Sequence, residues 1–378
     1  MDFNLSDMQQ MLADSAGKFV ADTYTLDHLR ARRGMADGFD AGVWAQFAEL
    51  GWLALPIPET AGGLGGSMAD VAVLMTMLGR GAAVDPYVSS AVIGGHLISA
   101  AGSLAARDEL LGAIASGEAR VALAHGEADE RYGDSPARTT RVTKLGNGLT
   151  LSGEKMLALD APSATHLIVS ATDDDGEMVL YLVAADAKGV TAEAYPLIDG
   201  AAAADFRFNL VGLTSEDCLA KGALAHRILA EASDRASVAL SAQAVGSMEA
   251  TLEICSAYLK ERNQFGQPIG KFQALQHLMA DMFVATHQSR SILYHALARI
   301  AADPNERAAA VSAARLIIGE ASQLVSRSGI QLHGGYGITD EYLVSHHFRR
   351  LLSIEKQFGD VDYHTRRLAD HAFGPIAA

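Results

Sequence analysis

Apolar residues recur at steps of three and four along both ends of the chain, while short alternating runs fill its middle. Near the N-terminus, Met8, Leu12, Ala16, Phe19 and Val20 mark one face of a helix. Ser6 precedes them with Gln9 three residues on, the pattern of a capping box. A second helix is predicted from Val43 to Leu50, stopped at Gly51. Helical spacing resumes through Val71, Leu74 and Leu78, then from Ala91 to Ala101 and from Arg107 to Ala115. The intervening stretch 56–66 (PIPETAGGLGG) reads as loop. Its glycines follow no predicted strand, so they do not fit a dinucleotide fingerprint.

The pattern changes near Glu118. From Ala119 to Val211 come RVALAH, TTRVTKL, GLTLSG, THLIVSA, MVLYLVA and DFRFNLV, each short and separated by turn residues. Gly146-Asn147-Gly148 between two such runs predicts a hairpin turn. A linker is expected over 212–222, after which helix returns. Val245, Met248, Leu252, Cys255 and Leu259 form one stripe. Leu275, Leu278, Met282, Leu293, Leu297 and Ile300 form a second, and Ala314, Ile317, Ala321 and Leu324 a third, running up to Gly329. The fold class is therefore α+β: an N-terminal helical domain (1–118), a middle β-sandwich or barrel domain (119–225) and a C-terminal helical bundle (226–378).

Charge narrows the partners. Thirty Lys+Arg against 45 Asp+Glu leave a net charge of −15, which argues against nucleic acid. Cys218 and Cys255 lack any Cys-x-x-Cys context, so a reducing, cytoplasmic setting is expected. The N-terminal MDFNLSDMQQ carries no basic region followed by an apolar run, and no uncharged apolar stretch of membrane-spanning length is found, so neither a leader nor a membrane partner is expected.

Two segments carry candidate chemistry. RNQFGQPIGKFQALQHLMADM, from Arg262 to Met282, places Arg262, Phe265 and Gly266 in a break between helices. Gln273, Gln276 and His277 then fall on the opening turns of the next helix. An arginine and amides at a helix junction suit an anionic cofactor such as a pyrophosphate, but an ordinary inter-helix loop has the same composition. In QLHGGYGI, from Gln331 to Ile338, three glycines permit close backbone approach to a ligand, and equally a helix stop. His346-His347 beside Phe348-Arg349-Arg350 lack metal-site spacing and read as a surface basic patch; no metal site is assigned. No Gly-x-Ser-x-Gly elbow occurs.

Together these segments, within an α–β–α chain, resemble the acyl-CoA dehydrogenase family over essentially the whole length. The C-terminal FGDVDYHTRRLADH, Phe358 to His371, looks like the small subunits of heteromeric bacterial members, of the pimeloyl-CoA dehydrogenase small-subunit type. The resemblance implies a C-terminal four-helix bundle, a tetramer, and FAD shared between subunits. It assigns the Arg-x-x-Phe-Gly motif to Arg262, Phe265 and Gly266, and further cofactor contacts to Gln273, Gln331, Gly334, Gly335 and Gly337. The implied reaction is α,β-dehydrogenation of an acyl-CoA thioester. A carboxylate takes the α-proton, flavin N5 accepts the β-hydride, and electrons leave to an electron-transfer flavoprotein.

That carboxylate has two usual places, which fall here on Phe358, before Gly359, and on Ala236. Neither is acidic, and the arginine that follows the second place is Ser237. The flavin-facing Thr-Glu-Pro segment reads Ala124-His125-Gly126, and the aromatic-Ile-Thr segment reads Leu157-Ala158-Leu159 after Lys155-Met156. Asp360, Asp362, Asp234 and His125 are substitute bases to weigh against structural roles. The leading expectation is a base-lacking subunit of an α2β2 heterotetramer whose partner supplies the glutamate. Alternatives are a homotetramer with a relocated carboxylate, a flavin oxidase or hydroxylase, and a non-catalytic structural subunit.

Overall fold

A computed structural model describes residues 4–35, 37–101, 107–128, 132, 138–146 and 148–374. Contacts group the chain into two compact units. One is Met1–Ala31, Met68–Val84 and Ser237–Ala378; the other is Arg32–Ser67 and Asp85–Ala236.

The first unit is helical. It contains α1 (Asp7–Thr23), α4 (Met68–Arg80), most of α7 (Ala223–Glu261), α8 (Gln273–Arg299), α9 (Pro304–His333), α10 (Leu343–Lys356) and α11 (Val361–Phe373). The expected capping box opens α1: Ser6 Oγ accepts from Gln9 N at 3.2 Å while Gln9 Oε1 accepts from Ser6 N at 3.1 Å. Two glycines let α4 and α7 touch backbone to backbone. A Cβ on Gly246 would lie 1.9 Å from Thr76 O, and one on Gly79 2.0 Å from Gln243 O. The start of α9 is fixed by Pro304 and by Asp303, whose Oδ1 accepts from Asn305 N and Glu306 N. By length and hydropathy alone, α9 with the turn that follows it (Pro304–Ile338) passes for a membrane span. It lies against α8, α10 and α11 with its apolar face inside the bundle and Arg307 and Arg315 buried, the pattern of a core helix.

The second unit holds α3 (Ala41–Glu49), α5 (Gly95–Ser99), α6 (Arg107–Ala115) and an eight-stranded sheet; α2 (Leu26–Arg32) crosses from one unit to the other. The strands are β1 (Val121–Ala124), β2 (Arg141–Leu145), β3 (Gly148–Leu159), β4 (His166–Thr172), β5 (Met178–Ala184), β6 (Val190–Pro196), β7 (Ala202–Leu213) and β8 (Cys218–Lys221). Their order is β6-β7-β3-β2-β4-β5-β8, with β1 parallel to β4. Register shifts between Leu151 and Gly153 and between Lys155 and Ala158 let the long β3–β7 pair bend, wrapping the sheet around Leu151, Leu167, Val169, Phe206 and Phe208. The β2–β3 hairpin closes at Leu145 and Gly148; Asn147 lies outside the described residues.

Three elements differ from the sequence reading. The Ala91–Ala101 pattern begins with a π-helical stretch, Val88–Gly94, before α5. The supposed linker over 212–222 contains β8, hydrogen-bonded to β5, so Cys218 sits in a strand. β6 was missed because an edge strand with both faces largely exposed carries no apolar alternation.

Candidate functional site

The segment after α7 forms a tight hairpin in which β9 (Asn263–Gln264) pairs with β10 (Gln267–Pro268). Its two loop residues both have positive φ, 51° at Phe265 and 77° at Gly266, the primed turn that matches strand twist. Glycine accepts that backbone freely; phenylalanine does so under strain. Phe265 nevertheless stands 91% exposed, with only Phe272 against its edge. Arg262, at the hairpin's base, is exposed too, and its guanidinium makes no hydrogen bond among the described residues. The next helix, α8, opens without a side-chain cap, so its positive end and the exposed Gln273 complete an uncommitted donor set.

At the end of α9 the chain turns through Gly334, whose φ of 60° with ψ of −140° only glycine adopts readily. A Cβ on Gly334 or Gly335 would meet nothing within 4 Å, so the space above them is open. Gly337 is packed instead, its notional Cβ 2.8 Å from His333 Cβ. Gln331 is exposed.

The last turn of α7, just ahead of the hairpin, meets the end of α9 through aromatic rings that sequence reasoning did not single out. His333 stacks on Tyr258, the last-turn tyrosine of α7, with centroids 4.3 Å apart, and lies 4.9 Å from Tyr342. His333 Nδ1–H donates to Gly329 O at 2.8 Å, and burial lowers its pKa. Cys255 lies beneath, its thiol pushed up to about 12 by burial and therefore inert. A fixed floor thus joins an exposed arginine, an exposed aromatic ring, an open glycine backbone and an uncapped helix. That set fits a flat, anionic dinucleotide.

The positions of the usual base look different. Phe358 is half-buried with φ of 55°, and Gly359 follows at φ of 109°. Arg315, reaching from α9, donates Nη2 to Ile354 O (2.9 Å), Gln357 O (2.7 Å) and Gly359 O (3.0 Å). His364 Nε2 donates to Phe358 O at 3.2 Å, while Ser312 Oγ donates to His364 Nδ1 at 3.3 Å. Burial, then Arg315 and Arg367, push the His364 pKa down to about 3, so the ring is neutral. Ala236 is wholly buried in α7.

The substitute bases are placed as follows. Asp360 is buried and caps α11, its Oδ1 accepting from Tyr363 N at 2.9 Å. Asp362 is exposed on the first turn of that helix, and Asp234 is buried in α7. Glu355, overlooked in the sequence, is a buried carboxylate near Phe358; it accepts from Val361 N at 3.2 Å and forms an ion pair with Lys356 Nζ at 2.8 Å.

In the strand unit, Lys155 is fully buried and donates to Glu127 Oε1 (2.6 Å), His125 O (3.1 Å) and Ser170 Oγ (3.2 Å). Burial alone would raise Glu127, but the Lys155 ammonium and the Thr139 donors outweigh it and hold that carboxyl at about 2. Arg138 Nη2 lies 3.2 Å from His125 Nε2. A guanidinium only donates, so Nε2 accepts and Nδ1 carries the proton toward Ser170 Oγ at 2.8 Å. His125 is a locked neutral imidazole whose basic nitrogen is already in use. Beside it, Met156 and Leu157 are exposed, and Leu157 has φ of 53°.

The expected basic patch at 346–350 is not a surface feature. His346, His347 and Arg350 are buried, because these residues form the inner face of α10. Arg350 Nη2 donates to Gln243 Oε1 at 2.6 Å and Arg349 pairs with Asp340. His347 Nδ1 meets Ser247 Oγ at 2.9 Å, and burial followed by His346 and Arg80 pushes its pKa down to about 3.

The chain belongs to the acyl-CoA dehydrogenase family: the description "Acyl-CoA dehydrogenase, N-terminal domain" matches residues 6–118 and "Acyl-CoA dehydrogenase, C-terminal domain" residues 227–373. FAD is the cofactor of that family, whose members are oxidoreductases acting on CH–CH bonds. Acyl-CoA dehydrogenase IpdE2 of Mycobacterium tuberculosis is 29% identical over 90% of this chain and 90% of its own. Among solved structures, a Tcur3481-Tcur3483 steroid ACAD variant is 30% identical with a TM-score of 0.86, covering 97% of this chain and 98% of that one. The ChsE4-ChsE5 complex from Mycobacterium tuberculosis is 25% identical with a TM-score of 0.90, covering 100% of both chains.

Proposed function

We propose that this chain is the base-lacking subunit of a heteromeric, FAD-dependent acyl-CoA dehydrogenase, working as an α2β2 heterotetramer. The observation that carries this reading is a contrast along the chain. Arg262 and Phe265 are exposed and the space above Gly334 and Gly335 is open, whereas Phe358 and Ala236 offer no carboxylate. The nearby acids do not replace it, since Asp360 caps a helix and Glu355 is held by Val361 N and Lys356. Likeness to the ChsE4-ChsE5 complex and to the Tcur3481-Tcur3483 steroid ACAD supports a two-chain assembly.

In that assembly Arg262 and the open end of α8 would hold the pyrophosphate. Phe265 would give an apolar face to the ring system, and Gln273, Gln331 and the loop glycines would supply hydrogen bonds and close backbone approach. FAD, when bound, supplies the hydride acceptor. The second subunit would bring the glutamate and, with it, the thioester pocket. An electron-transfer flavoprotein would reoxidise the cofactor, and a cytoplasmic setting suits this role.

Expressed alone and supplied with FAD, the chain should show no bleaching of flavin absorbance with fatty or steroid side-chain acyl-CoAs; co-expression with its second subunit should restore it. Robust bleaching by the lone chain would overturn the reading. Phe358→Glu tests the turn directly, because the left-handed backbone that Arg315 and His364 hold would then present a carboxylate. Bleaching should become measurable in that variant and not in Ala236→Glu, where the helix interior leaves a buried charge without solvent.

A further inference from the structure

A cavity lies in the helical unit among α1, α4, α7 and α8, apart from the hairpin, the glycine loop and the turn described above. The cavity is half-open, with a volume of about 420 Å³, a size typical of small-molecule sites. Its walls are mostly apolar, with Leu5, Val73, Met77, Leu293 and Leu297 the larger contributors.

The cavity adjoins the crossing of α4 and α7. They are in backbone contact at Thr76–Gly246 and Gly79–Gln243, where no Cβ would fit. Thr76 and Val245, at that crossing, already line the cavity, and Ala69 and Ala72 line it further along α4. The alanines on that wall are too short to fill the space, and the apolar lining of a half-open cavity of this size suits an apolar guest.

One wall is charged. Arg290 places Nε (3.1 Å) and Nη2 on a single oxygen of Glu249, whose other oxygen lies 3.5 Å from Arg80 Nη1. Arg80 is itself engaged with Glu253 at 2.6 Å. That arrangement leaves Nη1 of Arg290 without a hydrogen bond among the described residues, on a side chain 43% exposed at the cavity mouth. Glu249 fixes the guanidinium in place and so lowers the entropy lost when a further acceptor binds.

We propose that this cavity binds a monocarboxylate amphiphile, its chain among the apolar side chains and its carboxylate on Arg290 Nη1. The apolar walls suit a medium-length alkyl chain, and Arg290 at the mouth its carboxylate. The site requires neither flavin nor a second subunit.

Calorimetric titration of the flavin-free full chain with decanoate, 1-decanol and hexanoate, below their micelle concentrations, tests it. Decanoate should bind at least tenfold more tightly than either of the others. Arg290→Gln should lower decanoate affinity at least tenfold and leave decanol unchanged. Ala69→Phe, filling the cavity, should weaken decanoate and decanol alike; Ala298→Trp, at the exposed rim, provides the same blockade should the first variant fold poorly. Equal affinity for acid and alcohol, indifference to Arg290→Gln, undiminished binding in both blocking variants, or no binding at all would each overturn the proposal.

Discussion

The hairpin at Arg262–Pro268 and the turn at Phe358–Gly359 both hold a phenylalanine in the left-handed region immediately before a glycine, yet they spend their polar groups in opposite ways. At the turn everything is consumed internally. Three carbonyls go to one buried guanidinium, a fourth to a buried imidazole, and the nearest carboxylate to a helix cap. In the hairpin the guanidinium, the ring and the helix end are all left for something else. Strain at the turn is backed by buried side chains; at Phe265 the exposed ring gains no such support, and the proposed flavin contact would account for it.

The largest effect should come from dismantling the frame. Arg315→Met removes a buried guanidinium donor and leaves the carbonyls of Ile354, Gln357 and Gly359 without it, which should cost about 3–5 kcal/mol in urea unfolding at about 1–3 kcal/mol per unsatisfied group. Gly359→Ala should be comparably severe. Its Cβ would fall 2.2 Å from Tyr363 Cδ1 and 2.7 Å from His364 Nε2, on a backbone at φ of 109°. A loss below about 1 kcal/mol in both variants would mean that the turn is not held from within.

The next effect is a pH dependence carried chiefly by buried histidines. His364 and His347 sit at about 3 in the folded chain and near 6.5 when unfolded, so between those values the unfolded state binds protons that the folded state refuses. Their stabilising contribution is therefore complete above about pH 6.5 and declines as pH falls toward 3, by up to about 1.4 kcal/mol per pH unit for each. Glu127, at about 2 when folded, adds its own loss only below the ordinary carboxylate range. Urea midpoints between pH 7 and pH 5 thus report the histidines, and His364→Gln should remove part of the slope, the rest belonging to His347, His333 and His166.

The two regions were unequally legible in the sequence. The hairpin and glycine loop announce themselves because their residues are local, and the helical stripes around them follow a plain period of three to four. The turn's absent carboxylate was legible as well, but its frame was not. Arg315 lies more than 40 residues upstream of the turn, and a lone arginine on an amphipathic helix carries no sign that it faces inward. Lys155, Glu127 and Arg138 were hidden likewise, since charged residues are mostly exposed and only pairing in space makes burial tolerable. The 346–350 segment misled for the same reason: a run of His and Arg looks like surface until Gln243 and Ser247 on α7 supply partners.

The smallest change in stability makes the sharpest test of the exposed side. Phe265 occupies a left-handed position that costs a non-glycine residue about 1–2 kcal/mol, and its ring, 91% exposed, returns almost nothing by burial. Phe265→Gly should therefore leave the fold intact and raise the unfolding free energy by about 0.5–1 kcal/mol, part of the relieved strain being returned as added freedom of the unfolded chain. Arg262→Ala should change it by less than about 0.5 kcal/mol, as exposed and unpaired side chains do. If these residues are kept for FAD, both variants should lower the flavin recovered with the purified hetero-oligomer, judged by the ratio of visible to ultraviolet absorbance, while subunit stoichiometry stays constant. A stabilised Phe265→Gly variant with undiminished flavin would leave the phenylalanine's strain without a ligand to justify it, and would place the cofactor contacts of this chain elsewhere.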